Sequence, residues 1–218
     1  MNRDSYFERW SKLHGGATIK GIVKAWLSIS YVLSVPLVRL QISPNVLSLI
    51  GVIASIFTYL EAQRNFAVFI LALSLLSDGV DGTVAILSGK EGKRGAMVDA
   101  ICDRIGETFW ALAFYVVGAP AWIVASAWLF AFTQEYARAR IAGLGDFRID
   151  LVTVAERPVR ASFLAVALLA FDFNISAVTT LATVWAVVQG ISLVAVMRSG
   201  YLRLSVPDGP DAPDGSSN

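Results

Sequence analysis

Between Ser43 and Val196 the chain alternates long apolar stretches with short polar breaks, and the pattern predicts six helices of membrane-crossing length. The first opens at Ser43-Pro44-Asn45, with Ser43 at the N-cap and Pro44 at the first helical position, and runs to about Ala62. The others cover about Asn65–Leu87, Gly95–Val117, Ala119–Leu144, Val159–Phe173 and Ile175–Val196. The fifth is short for a crossing at about 1.5 Å per residue, so it must begin earlier or tilt little. Residues 20–41 read differently: Ile22, Val23, Trp26, Leu27, Ile29, Leu33 and Leu37 are apolar, but Lys20, Lys24 and Arg39 flank them and Pro36 interrupts. They predict an amphipathic helix lying in the interface, with Trp26 and Tyr31 at headgroup depth, and a spanning helix is the alternative. Residues 1–19 predict a short surface helix and a turn at Gly15-Gly16, and the Pro-, Gly- and Asp-rich tail from Pro207 to Asn218 predicts disorder. The expected architecture is an all-α integral membrane bundle in three parts: 1–41, a cytoplasmic segment with the interfacial helix; 42–198, the six-helix transmembrane domain; and 199–218, a cytoplasmic tail.

Composition agrees, since 56% of residues are hydrophobic and 16% charged. A net charge of +1 gives no global support for nucleic-acid binding. One cysteine, Cys102, excludes an intrachain disulfide and a cysteine-based metal site, and the one histidine, His14, leaves little room for histidine chemistry. The polar start predicts no cleavable signal peptide. Lys and Arg set the orientation. Turns after the first, third and fifth helices hold only Arg64, whereas the loop after the second carries Lys90, Lys93 and Arg94. The loop after the fourth, with its flanks, carries Arg138, Arg140, Arg148, Arg157 and Arg160. This asymmetry predicts both termini and the even loops in the cytoplasm.

The candidate chemistry lies where the second and third predicted helices meet. Asp78, Asp81, Gly82 and Ala85 fall within about 100° of arc on one helix, and Gly95, Asp99 and Asp103, four residues apart, form a stripe on the next. Four carboxylates gathered in an apolar protein need a positive partner, and a divalent metal is the simplest. Their depth, roughly 6 and 12 Å into the third helix for Asp99 and Asp103, puts them in the cytoplasmic half of the bundle. All-oxygen ligands favour Mg²⁺, Mn²⁺ or Ca²⁺, and two bridged ions suit phosphoryl transfer. Glycines let a nucleotide or diphosphate approach the helix backbones.

This spacing, D-x2-D-G-x2-A-R-x8-G-x3-D-x3-D, resembles that of the CDP-alcohol phosphotransferases, with seven of the eight specified positions matched and every gap correct. The resemblance covers roughly residues 20–198. It implies transfer of a phosphatidyl or similar substituted phosphate from CDP-diacylglycerol to a polyol or polyol phosphate, with release of CMP. It further implies two Mg²⁺ or Mn²⁺ ions on Asp78, Asp81, Asp99 and Asp103, with Asp103 also the catalytic base. Gly82, Ala85 and Gly95 would line the donor pocket, and a homodimer in the cell membrane is expected, with the active site on the cytoplasmic side. The exception is Ile86, where the family has an arginine that supports the nucleotide phosphates. Lys90, Lys93 or Arg94, on the adjoining loop, would then supply the replacement charge.

Tyr136-Ala-Arg138-Ala-Arg140 and Glu156-Arg157-Pro158-Val159-Arg160 resemble the basic acceptor pocket of bacterial phosphatidylinositol phosphate synthases. By that resemblance Arg138, Arg140 and Arg160 would bind the acceptor's phosphate, as inositol phosphate or glycerol 3-phosphate; guanidinium forks suit that geometry. Positive-inside topology charges are the plainer alternative. Two other functions compete. A cation transporter is disfavoured by the absence of inverted repeats and by acids set to one side of the midplane. A catalytically silent nucleotide-lipid binder rests on Ile86 alone.

Overall fold

A computed structural model describes residues 1–13, 16–145 and 153–205. His14, Gly15, Arg148 and the expected disorder of the tail lie outside the described residues. Among the described residues there are eight helices and no strand. α1 (Arg3–Leu13) and α2 (Gly21–Arg39) precede α3 (Pro44–Leu60), α4 (Ala67–Ser88), α5 (Lys93–Val116), α6 (Ala121–Gly143), α7 (Arg157–Asp172) and α8 (Val178–Leu204). The six expected helices are α3 to α8, within a few residues at most boundaries. α8 is the exception and continues past Val196 to Leu204, carrying Arg198 and Arg203 in its last turns.

Two helices, α4 and α8, are long and apolar enough by themselves to cross a membrane. α3 and α7 have 17 and 16 residues, about 25 Å of rise, and α5 and α6 each carry several charged residues. α2 and α3 qualify only as a pair, and they are bent by 113°. The bend falls at Leu40–Ser43, where Gln41 takes φ 57° and Pro44 restarts the helix after an extended Ser43. Ser43 holds the N-cap position as predicted from sequence, yet its side chain makes no capping bond.

α3, α4 and α5 approach closely because small residues face one another. Ser55 Oγ and Ser74 Oγ lie 2.7 Å apart and each donates to the Gly51 carbonyl at 2.9 Å. A side chain on Gly106 of α5 would stand 2.9 Å from Ser55 Oγ. Small-residue contacts of this kind let backbones meet where lipid gives no hydrophobic drive. The main core joins α4 to α8 around Trp110, Phe114 and Trp185, with the last two rings stacked at 5.2 Å and Leu164 and Leu168 beneath.

The N-terminal helix is docked rather than loose. Tyr6 of α1 is fully buried, packs with Leu27 and Ile86, and its hydroxyl lies 2.9 Å from Thr83 Oγ1 in α4. Arg9 pairs with Glu91 on the α4–α5 loop at 2.5 Å. On the same side, the Trp26 indole of α2 occupies the space a side chain on Gly79 would need. Tyr6→Phe strands the buried Thr83 hydroxyl, and we expect a loss of about 1 kcal/mol, read as a lowered Tm of the purified protein in detergent.

Candidate active site

α4 delivers Asp78 and Asp81, and α5 delivers Asp99 and Asp103. Oxygens from Asp78, Asp99 and Asp103 lie within 4.8 Å of one another. Asp81 sits deeper: it is 4% exposed, accepts a 2.5 Å hydrogen bond from Ser48 Oγ of α3, and lies against the Asp99 carboxyl. The four acids predicted to act together therefore divide into a triad at the mouth and one anchored beneath it. Asp99 Oδ1 is buried and makes no hydrogen bond. A converging, all-oxygen set with an unpartnered buried oxygen fits a hard divalent cation.

Gly82 is exposed, and nothing stands within 4 Å of where its side chain would begin; beside Gly95 the sole neighbour is Asn45 Oδ1, at 4.0 Å. This leaves the backbone open to a ligand on the acid-bearing side of α4 and α5. Ala85 is half-buried one turn on. Lys93 and Arg94 are exposed in the first turn of α5, behind Gly92. Ile86 points elsewhere. It is 5% exposed, packed under Tyr6 and Leu27, and so serves as the seat of α1 rather than as part of the open face.

The acceptor candidates occupy a different environment from the one their sequence suggests. Arg160 is 3% exposed and saturated: Nε donates to Ala155 O at 2.8 Å and Gln189 Oε1 at 3.1 Å, Nη1 to Glu107 at 2.9 Å, and Nη2 to Glu135 at 2.8 Å. In this arrangement it ties α5, α6, α7 and α8 together and presents no open fork. Arg138 bonds Glu156 at 2.7 and 3.0 Å and Glu135 at 3.2 Å. Burial pushes the Glu156 carboxyl up, but Arg138 and the Thr153 N–H and hydroxyl outweigh it and hold it below the ordinary range. Arg140 alone of the three is exposed.

Two residues carry more of the site than sequence reasoning assigned them. Glu107, 7% exposed, pairs with Arg104 at 2.8 Å as well as with Arg160. Arg157 reaches the acid triad itself and pairs with both Asp78 and Asp103. A signal for it existed: Arg157 and Arg160 open α7, where the helix dipole disfavours cations unless carboxylates await them.

A helical membrane bundle with clustered acids beside an open, glycine-lined backbone defines a class, the integral membrane enzymes of phosphoryl-group transfer. The family model for CDP-alcohol phosphatidyltransferase matches residues 41–197, and the chain belongs to that family. The archaetidylinositol phosphate synthase of Aeropyrum pernix is 27% identical over 170 residues, spanning 76% of this chain and 87% of that protein. The enzyme of the same name from Pyrococcus horikoshii is 32% identical over 128 residues, 56% of this chain and 68% of that protein. Among solved structures, the phosphatidylinositol phosphate synthase of Mycobacterium tuberculosis with CDP-DAG bound superposes with a TM-score of 0.68 at 23% identity, covering 88% of this chain and all of that one. The same enzyme in complex with manganese and citrate also gives 0.68, over 86% of this chain and 93% of that one. The chain is thus a multi-pass membrane transferase of phospholipid synthesis, moving a substituted phosphate from a CDP-linked lipid to an alcohol.

Proposed function

We propose that the protein transfers the phosphatidyl group of CDP-diacylglycerol to a polyol phosphate at the cytoplasmic face, using Asp78, Asp81, Asp99 and Asp103. The observation that carries this is the convergence of Asp78, Asp99 and Asp103 beside the exposed Gly82 and the half-buried Gly95, whose backbones no side chain crowds. Two Mg²⁺ or Mn²⁺ ions held by the four acids would neutralise the diphosphate and lower the acidity barrier of an alcohol. The chain's own residues do the rest. The open backbone at Gly82 and Gly95, with Ala85 beside it, admits the cytidine diphosphate. Asp103 takes the acceptor's hydroxyl proton as that oxygen bonds to the lipid-side phosphorus, and the bond from this phosphorus to the CMP oxygen breaks. Six crossings by α3 to α8, with α2 along the interface, suit the 113° bend between α2 and α3. A homodimer is part of this reading, as is the placing of both termini in the cytoplasm.

A phosphorylated acceptor is favoured by the names of the relatives, synthases of archaetidylinositol phosphate and phosphatidylinositol phosphate. With Arg138 and Arg160 held by carboxylates, Arg140 is the predicted acceptor residue that is free to approach a phosphate from solvent. Purified protein given CDP-diacylglycerol and Mn²⁺ with inositol phosphate, glycerol 3-phosphate or unphosphorylated polyols separates the possibilities by mass spectrometry of the lipid product. Product from the phosphorylated acceptors alone is expected; a preference for a plain alcohol overturns the polyol phosphate assignment.

The donor side makes a second testable claim. Ile86 is turned into the α1 seat, so the diphosphate must find its cation elsewhere, and Lys93 and Arg94 are the exposed charges beside Gly95. Arg94→Ala or Lys93→Ala should raise the donor KM by about tenfold or more, the worth of one charged hydrogen bond. Adding Ile86→Arg should not repair it, because an arginine there would displace Tyr6. Unchanged donor KM in both variants removes Lys93 and Arg94 from the donor site.

A further inference from the structure

Arg157 has no part in the transfer chemistry above, yet its guanidinium lies inside the acid cluster. The side chain starts at the first residue of α7, where the helix dipole opposes a cation and Arg160 follows one turn later. It is nonetheless drawn inward and is 13% exposed. Nη1 bonds both Asp78 Oδ1 and Asp103 Oδ1, and the guanidinium lies 5.1 Å over the Trp110 ring. Its buried Nε makes no hydrogen bond, with Glu107 Oε1 at 3.9 Å. Arg160 shows the contrast, since all three of its guanidinium nitrogens are bonded. Arg157 is held by one nitrogen, and that nitrogen uses carboxylate oxygens of the same triad a divalent ion would need.

A guanidinium and a divalent cation cannot both sit on those oxygens. Like charges brought that close repel strongly in a partly buried setting. We propose that Arg157 is a tethered counter-cation that neutralises Asp78 and Asp103 in the metal-free protein and is displaced from them when a divalent ion binds. The proposal rests on the reading of the acids as the metal site. Its first consequence is stability: without metal, the cluster keeps a positive partner instead of a buried excess of negative charge. Its second is timing. Asp103 becomes free to accept a proton only once the ion has taken Arg157's place, so an unloaded enzyme holds its base occupied.

Mn²⁺ binding to the full-length protein in detergent, read from the electron paramagnetic resonance signal of free Mn²⁺, tests this. Arg157→Gln should bind Mn²⁺ at least about tenfold more tightly than wild type, because the ion no longer has to displace a charged hydrogen-bonded partner; Arg157→Lys should fall between. In chelator, Arg157→Gln should melt below wild type, and saturating Mn²⁺ should raise its Tm more than that of wild type. Equal or weaker Mn²⁺ affinity in Arg157→Gln overturns the proposal and leaves the metal site standing. Wild type that binds no Mn²⁺ overturns both. A measurement on wild type alone decides the matter if the variants do not fold: phenylglyoxal should modify the Arg157 peptide faster with Mn²⁺ than with chelator. Slower or unchanged modification means the guanidinium is not released.

Discussion

Asp103→Asn should stop transfer while leaving most of the CDP-lipid bound. An asparagine cannot accept the acceptor's proton, and loss of a positioned general base alone costs about 10²- to 10⁴-fold in kcat. Asp78, Asp81 and Asp99 remain, so donor affinity should survive. Asp78→Asn should differ, losing turnover and donor affinity together, because Asp78 converges with Asp99 and Asp103 and would hold metal on the donor side. Calorimetry of CDP-diacylglycerol binding with Mg²⁺ present separates the two variants. Equal donor affinity in Asp78→Asn and wild type removes Asp78 from the residues that would hold the metal.

The second large effect is on stability. Glu107→Gln keeps the shape of a side chain that is 7% exposed, but removes the charge that faces Arg104 and Arg160 at 2.8 and 2.9 Å. Breaking a buried pair from one side costs about 3–5 kcal/mol, since the remaining charge stays buried and uncompensated. A large fall in Tm is expected with or without substrate. Arg160→Ala should behave likewise, because the same network loses its cation along with the bonds to Glu135, Gln189 and the Ala155 carbonyl. Were Arg160 instead an acceptor-phosphate ligand, Arg160→Ala would keep its Tm and raise only the acceptor KM. Thermal unfolding and acceptor titration of the same preparation tell these apart.

Much of this was legible in the chain. The apolar periodicity of α3 to α8, the Pro44 start and the stripe of Asp78, Asp81, Gly82 and Ala85 are local facts, set by 3.6 residues per turn. What one helix brings to another was not legible. At the edge of the stripe, Ile86 reads as part of the nucleotide face until α1, a short polar segment, is seen to bury Tyr6 against it. Arg138 and Arg160 read as receptors because arginine forks suit phosphate, but carboxylates from α5, α6 and the loop before α7 reach them first. Arg157 sits in the same short motif and turns the other way, toward the acids. Sequence spacing orders the arginines along α7, and only packing decides which of them meets which acid.

The most direct test follows the phosphorus. CDP-diacylglycerol labelled with ³²P in the phosphate next to the glycerol, incubated with purified protein, Mn²⁺ and a polyol phosphate, should pass its label wholly to the new phospholipid, with equimolar unlabelled CMP released. Chelator or Asp103→Asn should abolish both products together. Label recovered in a water-soluble nucleotide, or CMP released with no labelled phospholipid formed, would contradict transfer of the substituted phosphate to an alcohol at these four carboxylates.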